Sequence, residues 1–328
     1  MRVMAYYVGV DLGATNVRAV VADGDGTIVG SARRGTPRGP TGIAVTEAVL
    51  GVTRTACEEA SVAPSSVTAA GIASIGPLDL AEGAVLNPSN LPDTIDRIPL
   101  TGPLSVLLET DRIYLHNDTT AGVIGERFHS ERNPDDMVYV TISSGIGAGV
   151  CVDGHVLDGW DGNAGEVGHM TLDPHGFMTC GCGKDGHWEA YCSGNNMPEY
   201  AYELYQDDPT IETDLPIEDP DFDAVDLFEY ADEDEFADYV LDQVAHWNTM
   251  GVANIIHAYA PIVIYVGGAV ATNNPDRVLD PIRERVDDMV FINVPDIELT
   301  TLGDEVVVRG ALASAMTGGT GDRSRLSA

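Results

Sequence analysis

Lysine is nearly absent from this chain: Lys184 is the only one in 328 residues, and 17 Lys plus Arg face 52 Asp plus Glu, for a formal net charge of −35. Affinity for nucleic acid rests on cations that neutralise phosphates, so this balance excludes a general nucleic-acid binder. The sequence also lacks a membrane-length apolar run. The longest, around Pro261 to Ala271, is about half of the roughly 20 residues a span requires and contains two glycines. Met1 to Val10 has neither the apolar stretch nor the small-residue cleavage site of a signal peptide. Five cysteines, an odd number, do not make a disulfide framework. A cytoplasmic protein is expected. With 44% hydrophobic residues the chain can bury a core, and its acids recur along the whole length, densest between Glu199 and Asp242. This reads as a surface adapted to concentrated salt, where screening within about 3 Å tolerates such self-repulsion, and so as a halophile's protein.

The pattern along the chain is α/β. Tyr6 to Asp11, Asn16 to Ala22 and Thr27 to Arg34 read as a strand meander, and apolar residues from Ala44 to Ala56 recur at helical spacing. Val67 to Ser74 reads as a strand, Asn87 to Pro103 as a loop, and Arg112 to His116 as a strand ending at Asn117-Asp118, with a helix from Thr119 to His129. Met137 to Ile142 and Ala148 to Val152 repeat the opening meander: a shift of 130 residues puts Val8 on Val138, Val20 on Val150 and Asp23-Gly24 on Asp153-Gly154. An internal duplication follows, hence two similar α/β halves with a cleft between them. The expected division is a small domain, 1–117, completed by a C-terminal helix near 308–318, and a large one, 118–307. A helix from Asp238 to Tyr259 leads into an apolar strand, Ile262 to Val266, and Gly267-Gly268. The acidic stretch from Glu199 to Asp234 reads as helices and loops with a solvated face.

Three clusters bear on chemistry. Glycine turns after three strands, at Gly13, at Gly145 and at Gly267-Gly268, can offer backbone N–H groups to phosphates, although none fits a Walker or Rossmann pattern. Asp11, at a strand end beside the first turn, could hold Mg2+. Asp118 ends a strand and opens a helix; spacing alone favours an N-cap over a general base. His169, Cys180, Cys182 and His187 form a Cys2His2 set suited to tetrahedral zinc, with Cys192 a substitute ligand.

In this order and spacing, the segments Asp11 to Arg18, Asn117-Asp118, Glu166-Val167-Gly168-His169 and Cys180-x-Cys182-Gly183-x-x-Gly186-His187-x-Glu189 resemble the ROK family of sugar kinases and repressors over nearly the whole chain. The resemblance implies an actin-like ATPase (ribonuclease H-like) fold and ATP-dependent phosphorylation of a hexose, glucose first, with another hexose as the alternative. It makes Asp118 the general base and places Asn90, Asn117, Glu166, His169 and Glu189 on the sugar. It puts Gly13, Thr15, Asn16, Ser144, Gly145, Gly267 and Gly268 on ATP, Asp11 near the catalytic Mg2+, and a structural Zn2+ on His169, Cys180, Cys182 and His187. Three departures stand out: Ala14 replaces a usual Gly, Ser143-Ser144 a usual Gly-Thr, and His187 a usual third Cys. A homodimer or higher homo-oligomer is implied. The family's regulators carry a DNA-binding helix pair ahead of the kinase region; with the first strand at Tyr6 and a net charge of −35, a kinase is expected.

Overall fold

The computed structural model describes residues 5–88, 90–208 and 210–327, so the first four residues of the segment read for a targeting signal lie outside the described residues. Two compact units result. One holds the described residues of Met1–Met137, Gly149–Gly165 and Asp304–Ala328; the other holds Val138–Ala148 and Glu166–Gly303, less its masked position.

In the first unit β1 (Tyr6–Leu12), β2 (Asn16–Ala22) and β3 (Ile28–Gly35) form the expected antiparallel meander. Alternation buries both faces of it. Val8, Val10, Leu12, Val17, Ala19 and Val21 meet Val45, Val49, Val52 and Ala56 of α1 (Gly42–Glu59) on one side. Val20 and Ala22 meet Val308, Leu312 and Met316 of the C-terminal helix (Val306–Thr317) on the other. β4 (Val67–Ser74) pairs parallel to β1. A Cβ at Gly71 of this strand would collide with the Ala311 carbonyl, so glycine here permits the helix to lie directly on the backbone.

The segment expected to be a loop after Asn87 is more ordered than its Pro content suggests. β5 (Leu78–Asp79), β6 (Ala84–Leu86) and β7 (Arg97–Pro99) make a small antiparallel sheet, and α2 begins at Thr101 and runs to Leu108. Pro99 sits on an edge strand and Pro103 in a first helical turn, two places where a missing N–H is harmless. β8 (Ile113–Asn117) then joins β4 in parallel and leads into α3 (Asp118–His129). The expected boundary at 117/118 differs from the observed division, because α3 packs on the C-terminal helix. At Gly310 a Cβ would strike the Ala121 carbonyl, so the two helices approach through glycine.

In the second sheet β9 (Met137–Ile142), β10 (Ile146–Val152), β11 (His155–Val156), β12 (Val263–Gly267) and β13 (Asp296–Leu299) take the order β11-β10-β9-β12-β13. The first sheet is ordered β3-β2-β1-β4-β8. The two orders match strand for strand, and β12 pairs parallel with β13 as β4 does with β8. The duplication is thus present in the topology. α4 (Glu189–Cys192) precedes the acidic stretch, which takes in most of α5 (Met197–Asp207) and all of α6 (Ala224–Glu229), ahead of α7 (Glu235–Tyr259). Several acids there are caps: Asp234 accepts from the N–H groups of Phe236 and Ala237, both at 2.9 Å, and Asp223 with Asp226 forms a capping box. α8 (Ala269–Asn273) and α9 (Pro275–Arg285) complete the unit. Among the described residues no helix is long and apolar enough to cross a membrane.

Candidate active site

Seven of the expected site residues belong to the first unit. Asp11 is the penultimate residue of β1, and Gly13 N–H donates to the Asn16 carbonyl at 2.9 Å, tightening the turn into β2. The Thr36 hydroxyl braces this turn from outside by donating to the Gly13 carbonyl at 2.7 Å. Thr15 is left exposed at the tip. Asn90 lies exposed on the loop between β6 and β7.

At the head of α3 the cap is Asn117, which corrects the reading of Asp118 as N-cap. The Asn117 side-chain oxygen accepts from Thr120 N–H at 2.6 Å and from the Thr119 hydroxyl at 3.1 Å. Asp118 is thereby released from capping and stands open to solvent in the first helical position. The protein packed around its carboxyl pushes it above the ordinary carboxylate range, opposed in part by the N–H of Thr119 and its own N–H. A carboxylate so placed can reach a substrate and binds a proton more avidly than a free one.

Asp11 behaves similarly. Burial raises it to about 6, with Arg18 pulling it down, Asp118 pushing it up and Arg33 pulling it down. For a carboxylate whose folded value is raised, the penalty is absent below the unfolded value of 3.8, grows as pH rises, and is complete above about 6. At neutral pH that penalty is on the order of 3 kcal/mol. Asp11→Asn is accordingly expected to stabilise the protein above pH 6 and to bring no gain near pH 4. Urea unfolding of both proteins at several pH values checks this; a pH-independent difference would contradict it.

In the second unit two glycine turns lie together. Ser143 N–H donates to the Gly145 carbonyl at 2.9 Å, leaving Ser144 exposed at the tip. Gly268, at φ 89°, fits against the Ile142 carbonyl, where a Cβ would clash, and Gly267 fits against the Tyr139 ring. Glycine is required at Gly268 on both counts.

The ligand atoms of His169, Cys180, Cys182 and His187 all lie within 4.8 Å of one another. His169 Nδ1 is 3.7 Å from Cys180 Sγ, and His187 Nδ1 is 3.3 Å from Cys182 Sγ. Tetrahedral zinc, with Zn–S about 2.3 Å and Zn–N about 2.0 Å, sets ligand atoms roughly 3.3–3.8 Å apart, so the donor set fits. Burial and His169 push the His187 imidazole down, which favours the neutral, ligating form. Burial lifts the Cys180 thiol to about 11, and a cation there would hold it as thiolate. Cys192 is excluded as a substitute ligand: it is fully buried elsewhere, with its Sγ 3.4 Å from the Val244 carbonyl.

The loop is tied down from beneath. Trp188, fully buried, donates to Asn248 of α7 at 2.9 Å, and the Tyr191 hydroxyl donates to Asp173 at 2.7 Å. The sequence reading gave neither anchor a role, although a Trp and a Tyr directly after the cluster were visible. It also assigned Glu189 to sugar alone. The structure shows Glu189 Oε2 accepting from Ile146 N–H at 2.8 Å, with Oε1 3.8 Å from Cys180 Sγ, so this carboxylate joins the Cys/His cluster to the Ser144 turn. Glu166 is exposed, with Oε2 3.8 Å from His169 Nε2. His169 therefore presents Nδ1 to the cluster and Nε2 to Glu166.

A family model described as the ROK family matches residues 7–317. The glucokinase of Pyrobaculum calidifontis is 36% identical over 317 residues, 95% of each chain. The crystal structure of the ROK hexokinase from Thermus thermophilus has a TM-score of 0.80 at 30% identity, covering 94% of this chain and 97% of that one. The ROK family glucokinase from Streptomyces griseus, solved with glucose and AMPPNP, has a TM-score of 0.73 at 27% identity, covering 95% and 99%. The two matching sheets and their helices are those of an actin-like ATPase fold, and the chain belongs to the ROK family.

Proposed function

We propose that the protein is a cytoplasmic, ATP-dependent glucokinase. The observation that carries this reading is the head of α3, where Asn117 takes the capping role and leaves Asp118 accessible with a raised proton affinity. Asp118 accepts the proton of the glucose 6-hydroxyl as that oxygen forms its bond to the γ-phosphorus. The bond from the γ-phosphorus to the β–γ bridging oxygen breaks, and ADP leaves with that electron pair. Asn90, Asn117, Glu166, His169 and Glu189 hydrogen-bond the sugar hydroxyls. Gly13, Thr15, Asn16, Ser144, Gly145, Gly267 and Gly268 line the nucleotide. The glucokinase from Streptomyces griseus solved with glucose and AMPPNP supports this choice of substrates.

Asp11 would hold Mg2+, which neutralises charge on the phosphates. Zn2+, on His169, Cys180, Cys182 and His187, would fix the loop that presents His169 and Glu189 and take no part in phosphoryl transfer. The working form is a homodimer, and the surface, with a net charge of −35, is adapted to concentrated salt, as in a halophile.

A coupled assay over glucose, fructose, mannose, N-acetylglucosamine and N-acetylmannosamine tests the reading, run with Mg-ATP or polyphosphate at molar and at low salt. Glucose with ATP at molar salt is expected to give the highest kcat/KM. A higher value for another sugar or for polyphosphate would reassign the substrate, and full activity at low salt would remove the salt adaptation.

A further inference from the structure

Among the described residues Trp160, on the loop after β11, is the most exposed large apolar side chain, at 96%. The chain's other two tryptophans are packed: Trp188 is fully buried, and Trp247 lies against Tyr191 with ring centroids 4.7 Å apart. Two anchors fix where the Trp160 loop sits in the first unit. At its start the Asp158 carboxylate is 3.7 Å from Nδ1 of His116, the residue before Asn117. Near its end Asn163 Oδ1 accepts from Leu78 N–H at 3.2 Å, and Asn163 Nδ2 donates to the Leu78 carbonyl at 3.4 Å. Leu78 follows shortly after Ser74, which is paired with Asn117 across β4 and β8. Leu86 N–H donates to the Pro77 carbonyl at 2.9 Å, which ties the segment leading to Asn90 to the same anchor.

The loop therefore spans the carboxyl ends of the parallel strands β4 and β8, the edge at which ligands of α/β sheets bind and at which Asn117 and Asp118 stand. Trp160 is the second residue after Asp158, a backbone reach of about 7 Å at most. The loop closes on itself at its base, where Ala164 N–H donates to the Asp158 carbonyl at 3.2 Å, the form of a compact loop with joined ends. Its far side is held, because Gly162 rests against Leu80 where a Cβ would clash. The tip is not held in this way. Gly159, directly before the indole, is exposed and left-handed at φ 75°, the kind of residue that absorbs the backbone rotation of a closing loop.

We propose that Trp160 is a substrate-contacting residue of this enzyme: when sugar binds, the loop tip turns on Gly159 and lays the indole over the C–H face of the hexose at Asn117 and Asp118. This rests on the kinase reading and deepens it. An indole suits a pyranose because its apolar face covers the ring carbons and leaves the hydroxyls at the ring edge to carboxylates and amides. The flanking carboxylates, Asp158 and Asp161, set the class of ligand. They repel the phosphates of a nucleotide and leave a neutral sugar unopposed. A covered sugar also has less water beside Asp118 to compete with the 6-hydroxyl for the phosphoryl group.

Fluorescence tests this, because the exposed tryptophan can be told from the two packed ones. Full-length wild type, Trp160→Phe and Trp160→Ala are compared at constant salt. Emission and acrylamide quenching are read with glucose alone and with AMPPNP alone, beside kcat, KM for glucose and Tm. Glucose is expected to shift wild-type emission to the blue and to lower its quenching severalfold, and AMPPNP to do neither. The emission of Trp160→Phe, from Trp188 and Trp247, should not respond to glucose, and its KM should stay within about threefold of wild type because an aromatic face remains. Trp160→Ala should raise KM for glucose about tenfold or more, the scale of a lost apolar contact in a substrate pocket, with Tm unchanged because the ring supports no packing. Unaltered quenching at saturating glucose overturns the proposal, as does a KM for Trp160→Ala within about twofold of wild type. Shielding by AMPPNP in place of glucose overturns it too, as does shielding that needs no sugar and grows with protein concentration, the mark of a second copy on this face. If glucose shields Trp160 and no sugar is phosphorylated, the contact stands and the kinase reading falls. If glucose is phosphorylated while Trp160 stays unshielded, the kinase reading stands and the contact falls.

Discussion

Asp118→Asn is expected to lower kcat by about three orders of magnitude, within the range that positioned general acid–base groups supply. KM for glucose should stay within a few-fold. The reasoning begins with the cap. Asn117 supplies the hydrogen bonds that order the first turn of α3, so the Asp118 side chain is not needed to start the helix, and its replacement by the isosteric amide should leave the backbone in place. Asn keeps the shape and a hydrogen bond to the sugar but cannot take a proton. Because the surrounding protein disfavours ionised Asp118, the amide should also raise the Tm. Lost turnover with gained stability separates a catalytic group from a structural one, which would lose both. Steady-state kinetics and thermal unfolding of the two proteins decide it, and an undiminished kcat would rule out the assigned base.

Metal removal should have an effect of similar size through a different route. Purified protein is expected to contain about one zinc per chain, and stripping it with a chelator should lower kcat/KM by about 100-fold or more, the upper end for partners that orient ligands and reactants. Cys180 and Cys182 are the first and third residues of a tight turn in which Gly183 N–H donates to the Cys180 carbonyl at 2.7 Å and Gly183 is left-handed at φ 79°. Cys182→Ser should reproduce the loss and bring the zinc content well below one. The core under the loop, built on Trp188 and Tyr191, is held by Asn248 and Asp173 and contains no metal ligand, so far-UV circular dichroism should change little. Metal analysis beside kinetics is the check. A fully active protein with no zinc would show that the four ligands do not organise the site.

Much of this was legible before the structure, for reasons that differ by element. The meander was readable because both faces of β1 and β2 are buried and their apolar residues run almost continuously between turn signals. The duplication was readable because Asp-Gly recurs 130 residues on, and the shared sheet order supports it. The sheet of β5, β6 and β7 was not readable: its strands are two or three residues long and its Pro99 sits where only an edge position makes it acceptable. The clustering of His169, Cys180, Cys182 and His187 was readable from residue type and spacing. The role of Glu189 as a strut was not, since its partner, the Ile146 N–H, is 43 residues away in sequence and carries no side-chain signature. Asp118 was misread as a cap because spacing cannot decide which of two adjacent polar residues turns inward. Asn117 does, buried at 7% exposure, and Asp118 is freed by it.

That strut has a consequence for ligand linkage. One Glu189 oxygen is fixed on the turn that carries Ser144, and the other faces the cysteine that begins the metal loop. Whatever orders the loop therefore also orders the turn, and the coupling must be mutual. If zinc and nucleotide bind as proposed, zinc occupancy and nucleotide affinity would be a single linked equilibrium, in which a protein short of metal presents itself in the assay as one with a poor grip on ATP.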